Sequence, residues 1–130
     1  MSDDELVVAL DHIVLTVRDI EATCEWYQRV LGLRRVIFDG GFVALHFGSQ
    51  KINLHPAAAP LVPHARIAEP GTADLCFLTT RTLAGVRARL ERQGVEIELG
   101  PVAQTGARGP MESIYVRDPD DNLIEIARYA

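Results

Sequence analysis

The chain has 130 residues, of which 48% are hydrophobic and 24% are charged, a composition typical of one globular domain in water. Its net charge of −5 at pH 7 argues against nucleic acid or an anionic membrane surface as the main partner, because both are themselves negatively charged. No apolar run approaches the roughly 18 residues that a membrane-spanning helix needs, and the acidic start MSDDELVVAL lacks the basic region of a secretory signal, so we expect a cytoplasmic protein.

The first half of the chain has the pattern of a strand, a helix and three further strands. Leu10–Val17 is an apolar, β-branched run and predicts the first strand. Asp19 is suited to cap the helix that follows, and Gly32 to end it. Three short strands are predicted next, at Arg34–Asp39, Phe42–Phe47 and Gln50–His55.

The same order returns in the second half. Thr72–Thr79 predicts a strand, and Thr82–Arg92 predicts a helix that Gly94 ends. Three more strands are predicted at Val95–Leu99, Met111–Arg117 and Leu123–Ala127.

Each half therefore has the element order βαβββ, which predicts an internal duplication. The two modules cover about residues 8–56 and 71–128, and the Pro/Ala-rich loop 56–71 joins them in one domain. We expect an α+β fold in which each sheet is curved and carries its helix on the outer side.

Four of the predicted strands carry polar side chains on the face away from the helices. Side chains alternate across a strand, so the bulkier aliphatic face is expected to pack on the helix. Imidazole and carboxylate groups that converge in the cavity of a curved sheet suit a divalent first-row metal. The residues on the opposite face therefore predict a metal site formed by His12, His55, Asp74 and Glu125, with Asn53 close by.

Each of these residues also has an ordinary structural interpretation. His12 can pair with the neighbouring Asp11, and Glu125 can form a surface ion pair across the last hairpin, which is worth little. Asp74 can cap a strand end, and His55 can lie at a solvent-exposed edge.

Three other features bear on chemistry. Cys24 and Cys76 lie among apolar neighbours without metal-site spacing, which predicts two small buried side chains in a reduced protein. The segment QTGARGP predicts either a mobile lid, whose Arg108 would contact an anionic substrate group, or a merely flexible loop. Ser113 and Tyr115 alternate on the next strand and are predicted to contact substrate, as is Asn53.

The stretches LDHIVLTVRDIEATCEWYQRVLGL, KINLH and RDPDDNLIEI together resemble the vicinal oxygen chelate superfamily. This superfamily includes glyoxalase I, fosfomycin-resistance enzymes, extradiol dioxygenases and bleomycin-resistance proteins. The resemblance extends over residues 9–128. The stretches FGSQKINLHP, GTADLCF and GPVAQTGARGPMESIY are similar to its small virulence-associated, glyoxalase-like subgroup.

The resemblance implies an open-sided site for nickel, zinc, iron or manganese between two βαβββ modules. It assigns His12 and Glu125 to ligand positions of the family. Asp74 takes the place of a common histidine and Asn53 that of a glyoxalase ligand, for which His55 on the same face is the substitute. The resemblance also implies a homodimer in which each site draws ligands from two chains.

Three functions follow as hypotheses. The first is a metal-dependent, glyoxalase-like lyase or isomerase that binds a small substrate through two adjacent oxygens, with Glu125 as the catalytic base. The second is an extradiol ring-cleavage dioxygenase, in which His12, His55 and Glu125 would hold iron. The third is a metal-free drug or metabolite binding protein of the bleomycin-resistance type. The polar ligand positions and the aromatic content of only 6% favour an enzyme.

Overall fold

The computed structural model describes residues 4–130. The first module contains β1 (His12–Val17), α1 (Ile20–Trp26, continued by a π-helical segment, Tyr27–Leu31), β2 (Arg34–Phe38), β3 (Phe42–Phe47) and β4 (Gln50–Pro56). The second contains β5 (Asp74–Leu78), α2 (Leu83–Arg92), β6 (Leu99–Gly106), β7 (Gly109–Arg117) and β8 (Leu123–Tyr129). No helix in this part of the chain is long and apolar enough to cross a membrane.

The two modules form two four-stranded sheets with the same topology. Sheet A has the strand order β1-β4-β3-β2, and sheet B has the order β5-β8-β7-β6. In each sheet the first and last strands of the module pair in parallel, and the other pairs are antiparallel. The predicted α+β fold of two βαβββ modules is therefore confirmed.

Both helices begin at the predicted residues. The carboxylate of Asp19 accepts the backbone N–H of Ala22 at 3.0 Å, and the hydroxyl of Thr82 accepts that of Gly85 at 3.1 Å. Each cap satisfies a backbone donor that the first helical turn leaves unpaired. Gly32 ends the first helix with φ 75°, a left-handed conformation that favours glycine.

The sixth strand lies later in the chain than predicted. Val95–Leu99 was expected to form it, but β6 starts at Leu99. Val95 and Ile97 pack against the core from an irregular segment, so their alternation imitates a strand outside the ladder. The segment QTGARGP forms the turn of the β6–β7 hairpin, in which Gly106 pairs with Gly109.

One hydrophobic core joins the two modules on the helix side of the sheets. Its fully buried side chains come from both sheets and both helices, among them Tyr27, Leu45, Leu90, Ile114 and Ile124. In β1, Leu15 and Val17 face this core as their parity predicts. The side of each sheet away from the helices, here called the open face, carries exposed apolar side chains at Val14, Phe42, Leu78 and Leu99.

A buried polar network lies in the turn between β7 and β8. The carboxylate of Asp118 accepts the hydroxyl of Tyr27 at 2.6 Å, the backbone N–H groups of Asp120 and Asn122, and the amide of Asn122. Burial and the neighbouring carboxylate raise the pKa of Tyr27, so its hydroxyl stays protonated and donates. The Asn122 side chain in turn accepts the backbone N–H of Ala73 at 2.9 Å. The network therefore ties the starts of β5 and β8 to the first helix.

Candidate functional site

The candidate ligands divide between the two sheets, on their open faces. His12 lies on β1, and Asn53 and His55 lie on β4, all in sheet A. Asp74 lies at the start of β5 and Glu125 lies within β8, both in sheet B. The ladder registers show which of them are neighbours.

In sheet A, His12 is close to Asn53 and far from His55. His12 pairs with Lys51 in the parallel ladder, Val14 pairs with Asn53, and Thr16 with His55. Asn53 is therefore a diagonal neighbour of His12, at roughly 7–8 Å between backbones. His55 lies two residues farther along, about 13 Å from His12 at the rise of a β-strand. One ion can bridge the first pair but not the second.

Sheet B repeats the same diagonal arrangement. Asp74 pairs with Leu123, and Cys76 pairs with Glu125. Asp74 and Glu125 are therefore offset by two residues, as His12 and Asn53 are in sheet A. The duplication of the fold thus places one diagonal polar pair at the equivalent position of each module.

Glu125 is half-buried and accepts a hydrogen bond from Ser113. The Ser113 hydroxyl donates to Oε2 of Glu125 at 2.6 Å, and Ser113 itself is fully buried. Tyr115 lies directly across from Glu125 in the ladder. The side chain of Ser113, which is predicted to contact the substrate, thus contacts the carboxylate of Glu125. Tyr115 remains at the surface of the open face.

The prediction that Cys76 is buried was wrong, whereas Cys24 is buried as expected. Cys76 is exposed because it points to the open face of β5, beside Glu125. Partial burial of its sulfur and the charge of Glu125 raise the pKa of the thiol to about 11. Burial and Glu125 also raise the pKa of Tyr115. Both groups are therefore protonated near neutral pH.

His12 is oriented by its sequence neighbour. Its Nδ1 lies 2.8 Å from Oδ2 of Asp11, and its side chain is 42% exposed. The paired histidine expected as the structural interpretation is thus present. A carboxylate on one ring nitrogen also fixes the imidazole and leaves the other nitrogen free, which is how metal-bound histidines are commonly held. The pairing is therefore compatible with a ligand role.

Asn53 supplies an independent indication of a bound group. Its Oδ1 is buried and, among the described residues, accepts no hydrogen bond. A buried oxygen without a partner costs about 1–3 kcal/mol. A carboxamide oxygen is a suitable metal ligand or substrate contact.

His55 of sheet A and Asp74 of sheet B lie in the same cleft of a single chain. A cleft of about 730 Å³ contains both residues, together with His64 and Glu69 of the connecting loop. Burial, and to a smaller extent the nearby His64, lowers the pKa of His55. The imidazole is therefore neutral near pH 7. This position suits a substrate contact at one end of the site.

Arg108 lies at the tip of the β6–β7 hairpin and contacts the last strand. Its guanidinium lies 4.4 Å from the centre of the Tyr129 ring, and its backbone N–H donates to the Tyr129 hydroxyl at 3.0 Å. Tyr129 pairs with Met111 and so lies on the open face, four residues from Glu125. Within residues 4–130, Arg108 has no carboxylate within 4.0 Å.

A single chain does not assemble the four predicted ligands. Among residues 4–130, no three His, Cys, Asp or Glu side chains are placed to share an ion. His12 and Asn53 lie on sheet A, and Asp74 and Glu125 lie on sheet B. Each sheet therefore carries one of the two diagonal pairs.

Comparison with known proteins gives a consistent family match. The model of the glyoxalase/bleomycin resistance protein/dioxygenase superfamily matches residues 9–126. The chain is 47% identical over 124 residues to virulence protein STM3117 of Salmonella typhimurium, covering 95% of this chain and 86% of that protein. The crystal structure of STM3117 superposes with a TM-score of 0.95 and covers 97% of this chain and 100% of that one.

The chain is also similar to a fungal relative and to a second solved structure. The glyoxalase domain-containing protein RDO1 of Mycosarcoma maydis is 47% identical over 123 residues, which cover 95% of this chain and 69% of RDO1. A lactoylglutathione lyase from Agrobacterium tumefaciens superposes with a TM-score of 0.72 at 24% identity, covering 95% of both chains. At that identity the lyase shows a common fold alone.

Proposed function

The chain belongs to the glyoxalase/bleomycin resistance protein/dioxygenase superfamily, and we propose that it is a metal-dependent, glyoxalase-like lyase or isomerase. Its small substrate would bind through two adjacent oxygens. The observation that carries this proposal is the repeated diagonal pair, His12 with Asn53 and Asp74 with Glu125, at equivalent positions of the two modules.

The donor set suits a divalent ion. One imidazole nitrogen, one amide oxygen and two carboxylates are ligands that zinc, nickel, iron or manganese accept in proteins. The partnerless Oδ1 of Asn53 fits such a set. When bound, the ion would act as a Lewis acid on the two adjacent substrate oxygens.

A homodimer would bring the two half-sites together. The open face of each sheet carries apolar side chains that a single chain leaves exposed, such as Val14 at 44% and Leu78 at 56%. If sheet A of one copy faces sheet B of another, these residues leave water and the two diagonal pairs meet. Each dimer would then hold two equivalent sites.

The chain's own residues would handle the substrate and the proton. Glu125 is oriented by the Ser113 hydroxyl and would move a proton to or from the substrate carbon. Tyr115 would donate a hydrogen bond from the opposite strand. Arg108, held on the Tyr129 ring, would bind an anionic group at the far end of the substrate.

Ser113→Ala tests whether the Ser113 hydroxyl orients the Glu125 carboxylate for metal binding. The substitution removes the hydroxyl that fixes Glu125 but keeps the carboxylate. We expect metal affinity to fall about 10- to 100-fold, the usual effect of losing a hydrogen bond to a metal ligand. Isothermal titration with zinc or nickel measures this change. Ser113→Thr keeps a hydroxyl and serves as the control, and equal affinity of wild type and Ser113→Ala would argue against an orienting role.

The proposal is tested by the metal content of protein purified without chelators or a histidine tag. About one ion per chain, measured by plasma mass spectrometry, is the expected result. Nickel or zinc would favour the lyase or isomerase. Iron would instead favour the dioxygenase, although the register separates His12 from His55 and so does not favour the triad of those two residues with Glu125.

A metal-free binding protein is the second candidate. Within residues 4–130 of a single chain no three-ligand group is present, and the open faces carry Phe42 and Leu99 as well as polar residues. An apolar cavity with a few polar groups suits a drug or metabolite. Failure to take up any divalent ion on dialysis would favour this candidate over the enzyme.

A further inference from the structure

The segment before β1 is apolar and unpacked. Leu6, Val7, Val8 and Leu10 are between 71% and 94% exposed, and Asp4 and Glu5 precede them. At the end of this segment, the side chain of Gln50 donates a hydrogen bond to the backbone carbonyl of Leu10 at 3.0 Å. We call residues 4–10 the arm. Four exposed aliphatic side chains within five residues are unusual on a free surface and indicate a contact with another surface.

A groove with matching chemistry lies on the helix side, at the junction of the two modules. It has a volume of about 500 Å³, within the range of binding clefts. Its wall is apolar, with Val30, Leu31 and Phe77 among the lining residues. Its charged lining residues are arginines: Arg81, Arg89 and Arg92. In the described part of the chain none of these three has a carboxylate within 4.0 Å.

We propose that the groove binds the arm of a second copy of this chain. The aliphatic side chains of the arm match the apolar wall, and Asp4 and Glu5 match the three arginines. Seven extended residues reach about 23 Å, enough to cross to another copy.

The position of the arm favours exchange between two copies. Leu10 lines a small cleft that shares Phe47 and Phe77 with the groove, so the arm starts beside it. The arm nevertheless leaves its own groove open. A two-fold axis next to these two rings would let each arm enter the other copy's groove, which gives a closed dimer with two identical contacts.

Cross-linking tests which groove the arm enters. Chains carrying Val7→Cys are mixed with size-tagged chains carrying Ala88→Cys, both in a Cys76→Ser background, and treated with a short bis-maleimide. A cross-linked heterodimer is the expected product, since Ala88 lines the groove. A Val7→Cys/Ala88→Cys chain that cross-links only within itself would place the arm in its own groove and overturn the proposal. Absence of any cross-link would overturn it as well.

Charge reversal gives the second measurement, by sedimentation equilibrium of the full chain. Arg81→Glu/Arg92→Glu should raise the dimer dissociation constant at least about tenfold. Adding Asp4→Lys/Glu5→Lys to that variant should restore most of the affinity, because the ion pairs are re-formed with opposite sign. Arg66→Glu, on the exposed connecting loop, is the matched control. A monomeric wild type, or a dimer unaffected by the reversal, would contradict the proposal.

This inference goes beyond the proposed function and fails separately from it. Metal binding by the wild-type protein without any cross-link would contradict the arm contact but not the proposed function. Cross-linking without metal uptake would support the arm contact and contradict the proposed function.

Discussion

Asp118→Ala should lower the free energy of unfolding by about 3–4 kcal/mol, because it leaves several buried hydrogen-bond donors without an acceptor. The carboxylate is 5% exposed and accepts the Tyr27 hydroxyl, two backbone N–H groups and the amide of Asn122. Without it, these donors face the protein interior unpaired. Urea denaturation followed by circular dichroism measures the loss.

Tyr27→Phe is the matched control for this network. It removes one donor and leaves Asp118 with its three other hydrogen bonds, so we expect a loss of about 1–2 kcal/mol. Equal losses for the two variants would show that the carboxylate is not the centre of the network.

The Asp118 variant should also weaken metal binding, since Asn122 ties the starts of β5 and β8, where Asp74 and Glu125 are placed.

Glu125→Ala should lower metal affinity at least about 100-fold and abolish turnover. It removes a ligand and the proton-moving group together, an effect larger than the loss of a supporting hydrogen bond. Glu112→Ala is the matched control, because Glu112 lies on the next strand with the opposite parity and is exposed. Metal affinity by titration, with unfolding free energy measured in parallel, separates a lost ligand from a lost fold. Unchanged affinity would exclude Glu125 from the site.

Much of the fold follows from local pattern. Helix caps at Asp19 and Thr82 and the alternation in β1 and β8 are local signals, and the structure bears them out. The sixth strand was misplaced because Val95 and Ile97 alternate like a strand while packing from an irregular segment. Burial against the core, not membership of a ladder, produced that pattern.

The site was harder to predict than the fold, since it depends on register. Parity placed Asn53 and His55 on one face but could not tell which lies beside His12; the pairing of Val14 with Asn53 does. Ser113 had the parity of a cavity residue, yet its hydroxyl is buried under Glu125. The buried DPDDN turn has the composition of an ordinary surface turn, and only its contact with Tyr27 reveals the network.

Mixing two inactive variants tests whether one site joins sheet A of one chain to sheet B of another. His12→Ala and Glu125→Ala chains are each unfolded, mixed and refolded together, and metal content and turnover are measured. Half of the dimers form between unlike chains and hold one intact site each, so about a quarter of the wild-type sites should return. If dimers of unlike chains form but neither metal binding nor turnover returns, the site is not shared between sheet A of one chain and sheet B of another.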